Sequence, residues 1–275
     1  MSRVYVLVPV HNRRPTTLRF VDCLQRQTHT NWQLVLIDDG SDDGTAAAVR
    51  QVLPGVTILQ GDGSLWWAGA LQLGYRWLTD GRAQPHDLVL IINDDTTFEP
   101  DLLATGAALI GDHPRSMLHA QCRDEGDDEL LDDGIGVDWR RLAFRPVHAS
   151  DEVDCLSTRG LLMTVEGIRR TGGFRPRWLP HYLSDYEFTL RAGRRGIRPL
   201  LDPAFFVRSP RKPTAQERAD GLASTVASLF AKNNPVNPAA WFMFALLASP
   251  WVYKPWNLMQ VGVRTLVRLA RHKPR

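Results

Sequence analysis

The densest chemistry in this chain lies in acidic and polar clusters that follow runs of β-forming residues. Asn93-Asp94-Asp95-Thr96 comes directly after Leu88-Val89-Leu90-Ile91-Ile92. Two adjacent carboxylates leaving a buried strand lose hydration and repel each other, so a neutralising cation is expected nearby. Their hard oxygen atoms suit Mg²⁺ or Mn²⁺, and such an ion could also clamp a diphosphate. The plainer alternative is a capped turn with solvated carboxylates, and taken alone the motif favours it. Asp38-Asp39-Gly40-Ser41-Asp42-Asp43-Gly44-Thr45 follows a second apolar run. It lacks the Glu and the spacing of an EF-hand calcium loop. Its carboxylates can accept hydrogen bonds from a base N–H or a ribose hydroxyl, or Ser41 and Asp43 can simply cap a helix. A third cluster, His11-Asn12-Arg13, closes the first run of the chain.

These clusters need a scaffold that brings them together. Val4 to Val8, Gln33 to Ile37, Val56 to Leu59 and Leu88 to Ile92 read as strands, the unbroken ones buried on both faces. Pro9 ends the first. Helical patterns separate them, around Leu18 to Gln25, at Ala46 to Val49 and from Ala68 to Leu78. Such alternation predicts βαβ units with right-handed crossovers, an α/β fold and a mostly parallel sheet flanked by helices. Ligands then bind at the carboxyl ends of the strands, where the three clusters fall. Further on, Asp101 to Ile110, Glu166 to Thr171 and Asp185 to Arg195 read as helices, the last stopped by Gly196. Leu118 to Gln121 and Leu161 to Val165 read as strands, and Ile135 to Phe144 as an excursion from the core.

Composition narrows the classes. The chain is 44% hydrophobic and 23% charged, which fits a folded protein rather than long disorder. A net charge of +3 gives no argument for nucleic acid. Cys23, Cys122 and Cys155 are scattered and odd in number, which excludes a disulfide framework and fits a reducing, cytoplasmic setting. The opening segment reads as a first strand, not a secretion signal. No apolar run reaches the roughly 20 residues of a spanning helix. The last stretch, with Lys254, Arg264, Arg268, Arg271, Lys273 and Arg275, carries no acid and is rich in Trp. It is read in two ways: peripheral contact with the inner face of a cytoplasmic membrane, or helices packed on the catalytic domain or on a second subunit of a homodimer.

In order and spacing, Pro9-Val10-His11-Asn12-Arg13, then Asp38 to Thr45, then Asn93-Asp94-Asp95 resemble family 2 of the glycosyltransferases, which has the GT-A fold. Gly172-Gly173-Phe174 and Ser184-Asp185-Tyr186-Glu187-Phe188-Thr189-Leu190-Arg191 look like that family's GGF stretch and its acidic catalytic segment. The resemblance spans roughly residues 3 to 210. It implies a nucleotide pocket lined by Pro9, His11, Asn12, Arg13, Asp38, Asp39 and Asp94. It implies a metal on Asp95, with Asn93 a neutral ligand where an acid often sits, and Asp185 as general base. The plain reading of Asp185 and Glu187 is a pair of first-turn helix acids.

Departures from the pattern matter too. Gly63 to Ala70, with Trp66 and Trp67, replaces a stretch usually richer in Asn and Gly. Those tryptophans could lie under the donor sugar or in the core. Arg208 stands near the place where many relatives have a His metal ligand, and a guanidinium cannot ligate a cation. Arg208, Arg211 and Lys212 could instead pair with a diphosphate, or form a solvated loop. His181, Tyr182 and Glu187 are further candidates for acceptor or diphosphate contact.

The expectation is therefore an inverting glycosyltransferase of bacterial surface-polysaccharide (O-antigen) synthesis. Its donor would be a UDP- or dTDP-sugar, rhamnose among the sugars by resemblance alone. Its acceptor would be a glycan or polyprenyl-diphosphate-linked hydroxyl. A catalytic domain over 1–232, with donor half 1–100 and acceptor half 101–232, would precede a helical appendage at 233–275. Two alternatives stand beside it. A sugar nucleotidyltransferase would want a Gly-rich basic loop after the first strand, and Pro9 to Pro15 has no glycine. A non-catalytic sugar-nucleotide or polysaccharide-binding protein of the same fold would be expected to lose Asp185.

Overall fold

The computed structural model describes residues 2–211, 229–232 and 234–271. Lys212, Lys273 and Arg275 lie outside the described residues.

Ten strands are described, eight of them in one sheet. β1 (Val4–Val10), β2 (Trp32–Asp38), β3 (Thr57–Gln60) and β4 (Leu88–Ile91) form a parallel block in the order β4-β1-β2-β3. β9 (Leu161–Thr164) runs antiparallel to β4 and joins it to β5 (Ser116–Asp124), which pairs in parallel with the edge strand β10 (Arg198–Ser209). β6 (Leu130–Asp132) adds to β5, and β7 (Gly134–Asp138) with β8 (Ala143–Val147) forms a separate hairpin.

The unbroken apolar runs follow from burial on both faces. Val4, Val6, Val8 and Val10 enter one core cluster, with Phe20 and Leu24 of α1 (Arg14–Gln25) and Leu103 of α4 (Leu102–Asp112). Tyr5 and Leu7 point the other way, toward Leu71 and Leu78 of α3 (Trp66–Thr79), Ile168 of α5 (Val165–Thr171) and Phe188 of α6 (Ser184–Arg194). α2 (Thr45–Val52) completes the first face through Val49.

Pro9 does not end β1; it pairs opposite Ile37 inside the strand. Leu7 bonds toward β4, since Ile92 donates to its carbonyl, and that ladder has its last pair at Leu7 and Ile91. By alternation the imino nitrogen of Pro9 faces the same side, just past the last pair, so no ladder bond is lost. β10 is absent from the sequence reading because Pro199, Pro203 and a register shift between Leu201 and Phe206 break its period, which an edge strand tolerates.

The C-terminal segment forms α7 (Pro238–Ala248) and α8 (Lys254–Arg271). Asn237 caps α7 by accepting from the Ala239 and Ala240 amides, with Pro238 at the first helical turn. Phe244, Ala245 and Val261 share a third core cluster with Leu142, Leu183 and Leu190. These helices thus pack against α6 and the β7–β8 hairpin. Among the described residues no helix is long and apolar enough to cross a membrane.

Candidate active site

A cavity of about 360 Å³ opens where β1, β2 and β4 end. Pro9, His11, Arg13 and Asp39 form one side of it, Asn93 and Asp94 another, and Trp66, Trp67 and His181 a third. A larger cavity, about 750 Å³, lies at the opposite end of the strands, near Ser2, His86 and Leu88. Chemistry decides between the two. The larger one is lined mainly by apolar groups such as Ala104, Ala107 and Ile110, whereas the smaller holds the acidic cluster at the strand ends expected to bind ligand.

Asp39 builds the cavity rim. Its carboxylate accepts the amides of Gly63 at 2.9 Å, Leu65 at 3.3 Å and Trp66 at 3.1 Å. This ties the β3–α3 loop to β2 and satisfies orphan donors at the start of α3. Ala68 donates to the Pro180 carbonyl, so these first amides of α3 are already used and do not form an open anion hole. Gly40, at φ +71°, permits the close approach: a Cβ there would lie 2.7 Å from the Gly63 nitrogen. His11 Nδ1 lies 2.6 Å from the Asp39 carbonyl. A carbonyl only accepts, so Nδ1 carries the proton and Nε2 is left as an acceptor in the neutral ring.

Asn12 and Asp38 support this loop and do not line the cavity. The Asn12 amide donates to Ser41 Oγ, its side-chain oxygen accepts the Asp42 amide, and its φ is +52°. Asp38 accepts the Ser41 amide at 2.9 Å. Trp66 is also left-handed, at φ +57°, and meets the His181 ring edge-on at 5.8 Å. Such strained residues persist only where their surroundings fix them, and they cluster at functional sites. Trp67 both lines the cavity and donates its indole N–H to Thr158 at 3.0 Å.

The acid pair is held electrostatically. Arg13 reaches Asp94 and Asp95, each at 3.3 Å, and Asp94 also accepts from Thr17 Oγ1 at 2.9 Å. Asp95 lies behind the cavity wall, almost fully buried. Among the described residues no group of three or more His, Cys, Asp or Glu side chains could hold a metal by itself. The donor set fits a different mode. Mg²⁺ is commonly held by one or two carboxylates and completes its shell with substrate phosphates and water. Asn93 and Asp94, on the cavity wall, suit an ion that arrives with a diphosphate; Asp95, behind the wall, would join them only by turning into the cavity as Arg13 yields the carboxylates.

Asp185 stands apart from the cavity, in the first turn of α6. The preceding residue but one, Leu183, takes φ +66°, which sets the start of the helix. Burial lifts the Asp185 carboxyl to about 7, and the like charge of Asp132 adds to the rise; the Tyr186 amide, donating at 2.9 Å, and Arg159 oppose it. Asp132 accepts from Ser157 Oγ at 2.6 Å, and Ser157 in turn contacts the buried His119. The partly buried Arg159 interacts with both Asp132 and Asp95, so one guanidinium couples the two acidic centres.

Sequence reading missed Asp132, Arg159 and Lys232. Asp132 lies in an acidic stretch that looks like solvated loop, and Arg159 in a loop without periodicity. Lys232 sits over the Trp66 ring, 5.6 Å from its centre, after a long gap in sequence. No local signal marks any of them.

Glu187 has a structural part. It pairs with Arg191 at 2.9 Å and Arg175 at 3.3 Å, and Arg191 donates to the carbonyls of Thr171, Gly172 and Gly173. That network locks the Gly172-Gly173-Phe174 turn to α6, with Phe174 stacked on Phe188 at 4.4 Å. Arg208 bonds Glu99 at 2.8 Å and Asp128 at 3.0 Å, and Arg211 pairs with Glu129 at 2.6 Å. Neither lines the cavity. Tyr182 is exposed beside His181, outside the lining.

A mostly parallel sheet flanked by helices, with an acid pair at the end of a central strand, is the layout of a GT-A glycosyltransferase. The chain belongs to glycosyl transferase family 2, whose sequence model matches residues 5–146, more than half its length. A sequence comparison with curated proteins gives no match. Among solved structures it is similar to the mannosyltransferase PcManGT from Pyrobaculum calidifontis, in complex with GDP-Man and Mn²⁺. That pair shares 17% identity and a TM-score of 0.59, over 99% of this chain and 76% of the other. S. aureus TarS 1–349 gives a TM-score of 0.62 at 14% identity, over 96% and 72%. GalNAc-T7, with UDP, GalNAc and Mn²⁺, gives 0.65 at 12% identity, with all of this chain covering 58% of it. At these identities the likeness shows the fold.

Proposed function

We propose that this glycosyltransferase is an inverting enzyme that moves a sugar from a UDP- or dTDP-sugar to a hydroxyl of a glycan or polyprenyl-diphosphate-linked glycan, in bacterial surface-polysaccharide synthesis. The observation that carries the donor assignment is the cavity itself: it is walled by His11, Asp39, Asn93, Asp94 and the Trp66–Trp67 pair at the strand ends. GDP-Man with Mn²⁺ in the PcManGT complex, and UDP, GalNAc and Mn²⁺ in the GalNAc-T7 complex, support the same reading.

His11 Nε2 and the polar rim would receive the nucleotide, and Arg13 offers a cation to the diphosphate. When bound, Mg²⁺ or Mn²⁺ on Asp95 and Asn93 would supply Lewis-acid stabilisation of the leaving diphosphate. Asp185 takes the proton of the acceptor hydroxyl. The hydroxyl oxygen forms a bond to the anomeric carbon from the face opposite the diphosphate, whose C–O bond breaks with its electron pair. A carboxyl poised near 7 suits this role, because a general base works best with a pKa close to the working pH.

The test is thermal melting with a panel of UDP-, dTDP- and GDP-sugars, dTDP-rhamnose included, with and without Mn²⁺. A ligand that binds the native state raises its stability. Metal-dependent stabilisation by one nucleotide class supports the donor site, and Asp95→Ala should remove the metal effect. No shift with any nucleotide at millimolar concentration would overturn the donor assignment.

A further inference from the structure

Helix α8 packs on the rest of the chain with one face and leaves an apolar face exposed. Asn257 and Val261 are buried on the packed face, and Gln260 and Arg264 donate to the carbonyls of Arg140, Arg141 and Leu142. Along the helix, Trp256, Met259, Val263, Leu266 and Val267 recur at three- and four-residue spacing and form one exposed strip, which the exposed Val252 precedes and at whose edge the Trp256 indole N–H donates to the Arg140 carbonyl. Leu266 is 67% exposed, and Trp251, which also precedes the strip, is 83% exposed. A contiguous strip of this kind on a folded surface marks an interaction site rather than chance exposure.

Charge selects the occupant. From residue 221 to the end of the sequence there is no Asp or Glu, while Lys232, Lys254, Arg264, Arg268, Arg271, Lys273 and Arg275 all fall there. A second copy placed symmetrically on this strip would set an acid-free basic surface against itself. An anionic bilayer instead offers apolar chains to the strip and attracts the net positive charge of this acid-free segment, and Trp is the residue type enriched at that boundary.

We propose that the exposed face of α8, preceded by the exposed Trp251 and Val252, docks in the plane of an anionic lipid membrane. The helix does not cross the bilayer. It shares its core cluster with Leu183 and Leu190 at α6, the helix that begins at Ser184-Asp185. Docking therefore brings the acceptor half, not only the donor half, to the membrane surface. The inference stands independently of which donor or base the enzyme uses.

Flotation of the full chain with vesicles tests it. Phosphatidylcholine vesicles are compared with vesicles that also contain phosphatidylglycerol, at low and high salt. The expected result is binding to the anionic vesicles that weakens with salt, and at least about tenfold weaker binding by Val263→Glu/Leu266→Glu. Both positions are exposed, so the double variant should keep the wild-type melting temperature; Trp251→Ser is a second, milder variant that should weaken binding in the same direction. Absence of binding to anionic vesicles overturns the proposal. So does equal binding to neutral vesicles, or binding that both variants retain. A concentration-dependent dimer in sedimentation that the double variant abolishes would assign the strip to a second copy instead.

Discussion

The two acidic centres of this molecule are built in opposite ways. At the donor side each carboxylate is tied down: Asp39 takes three backbone amides, and Asp94 and Asp95 share the Arg13 guanidinium. Those contacts brace the cavity walls before any ligand arrives. Asp185 is half-buried near the like charge of Asp132, with the Tyr186 amide and a more distant Arg159 in opposition, and its carboxyl rises to about 7. The contrast teaches a division of labour. Fixed negative charge organises a binding site, whereas a carboxylate that must accept a proton is kept where ionisation is costly.

Removing the costly carboxylate should have the largest effect. Asp185→Asn should lower the transfer rate by about 10²- to 10⁴-fold, measured at saturating donor, because the general base is lost. On the other side, Asp39→Ala leaves the amides of Gly63, Leu65 and Trp66 without their acceptor. It should cost on the order of 3 kcal/mol in denaturant unfolding and weaken donor binding. If Asp39→Ala is silent in both, the rim is not preorganised as described.

The pH dependence of stability separates the centres further. The Asp185 carboxyl lies above its unfolded value, so the folded state binds more protons between about pH 4 and 7, and stability falls as pH rises through that window. Asp185→Asn should therefore melt higher than wild type at pH 8, by at most about 4 kcal/mol, with the difference gone below pH 4. The smallest effects are shifts of the acid limb of kcat/KM, expected near 7. Asp132→Asn removes a like charge and should move the limb down. Arg159→Gln removes a favourable charge and should move it up, each by up to about one unit. Shifts in the same direction would break the electrostatic account of Asp185.

The cavity at the strand ends was largely legible in the sequence and the surroundings of Asp185 were not. The reason is how each is encoded. His11, Asp39 and Asn93-Asp94 directly follow apolar strands, so the period of the sequence places them at the same sheet edge. Asp132 and Arg159 reach Asp185 through a three-residue strand in an acidic stretch and through an irregular loop, and nothing local announces such contacts. Asp185 itself was recognisable only through its motif. Arg208 shows the reverse error: its charge suggested diphosphate, yet Glu99 and Asp128 already occupy it. Among the aromatics, Trp66 and Trp67 were open between sugar and core, and Trp67 proves to serve cavity and scaffold together. The Trp-rich C-terminus was open between a membrane, packing on the rest of the chain and a second subunit; one face of α8 packs against the rest of the chain, and the other is exposed.

The most direct test of the division between donor site and base is calorimetric donor binding of wild type and Asp185→Asn, run beside transfer on the same preparations. The account predicts equal donor affinity with transfer lost in the variant. Transfer that survives, or donor affinity that falls with it, would contradict the assignment of Asp185 as a base separate from the donor cavity.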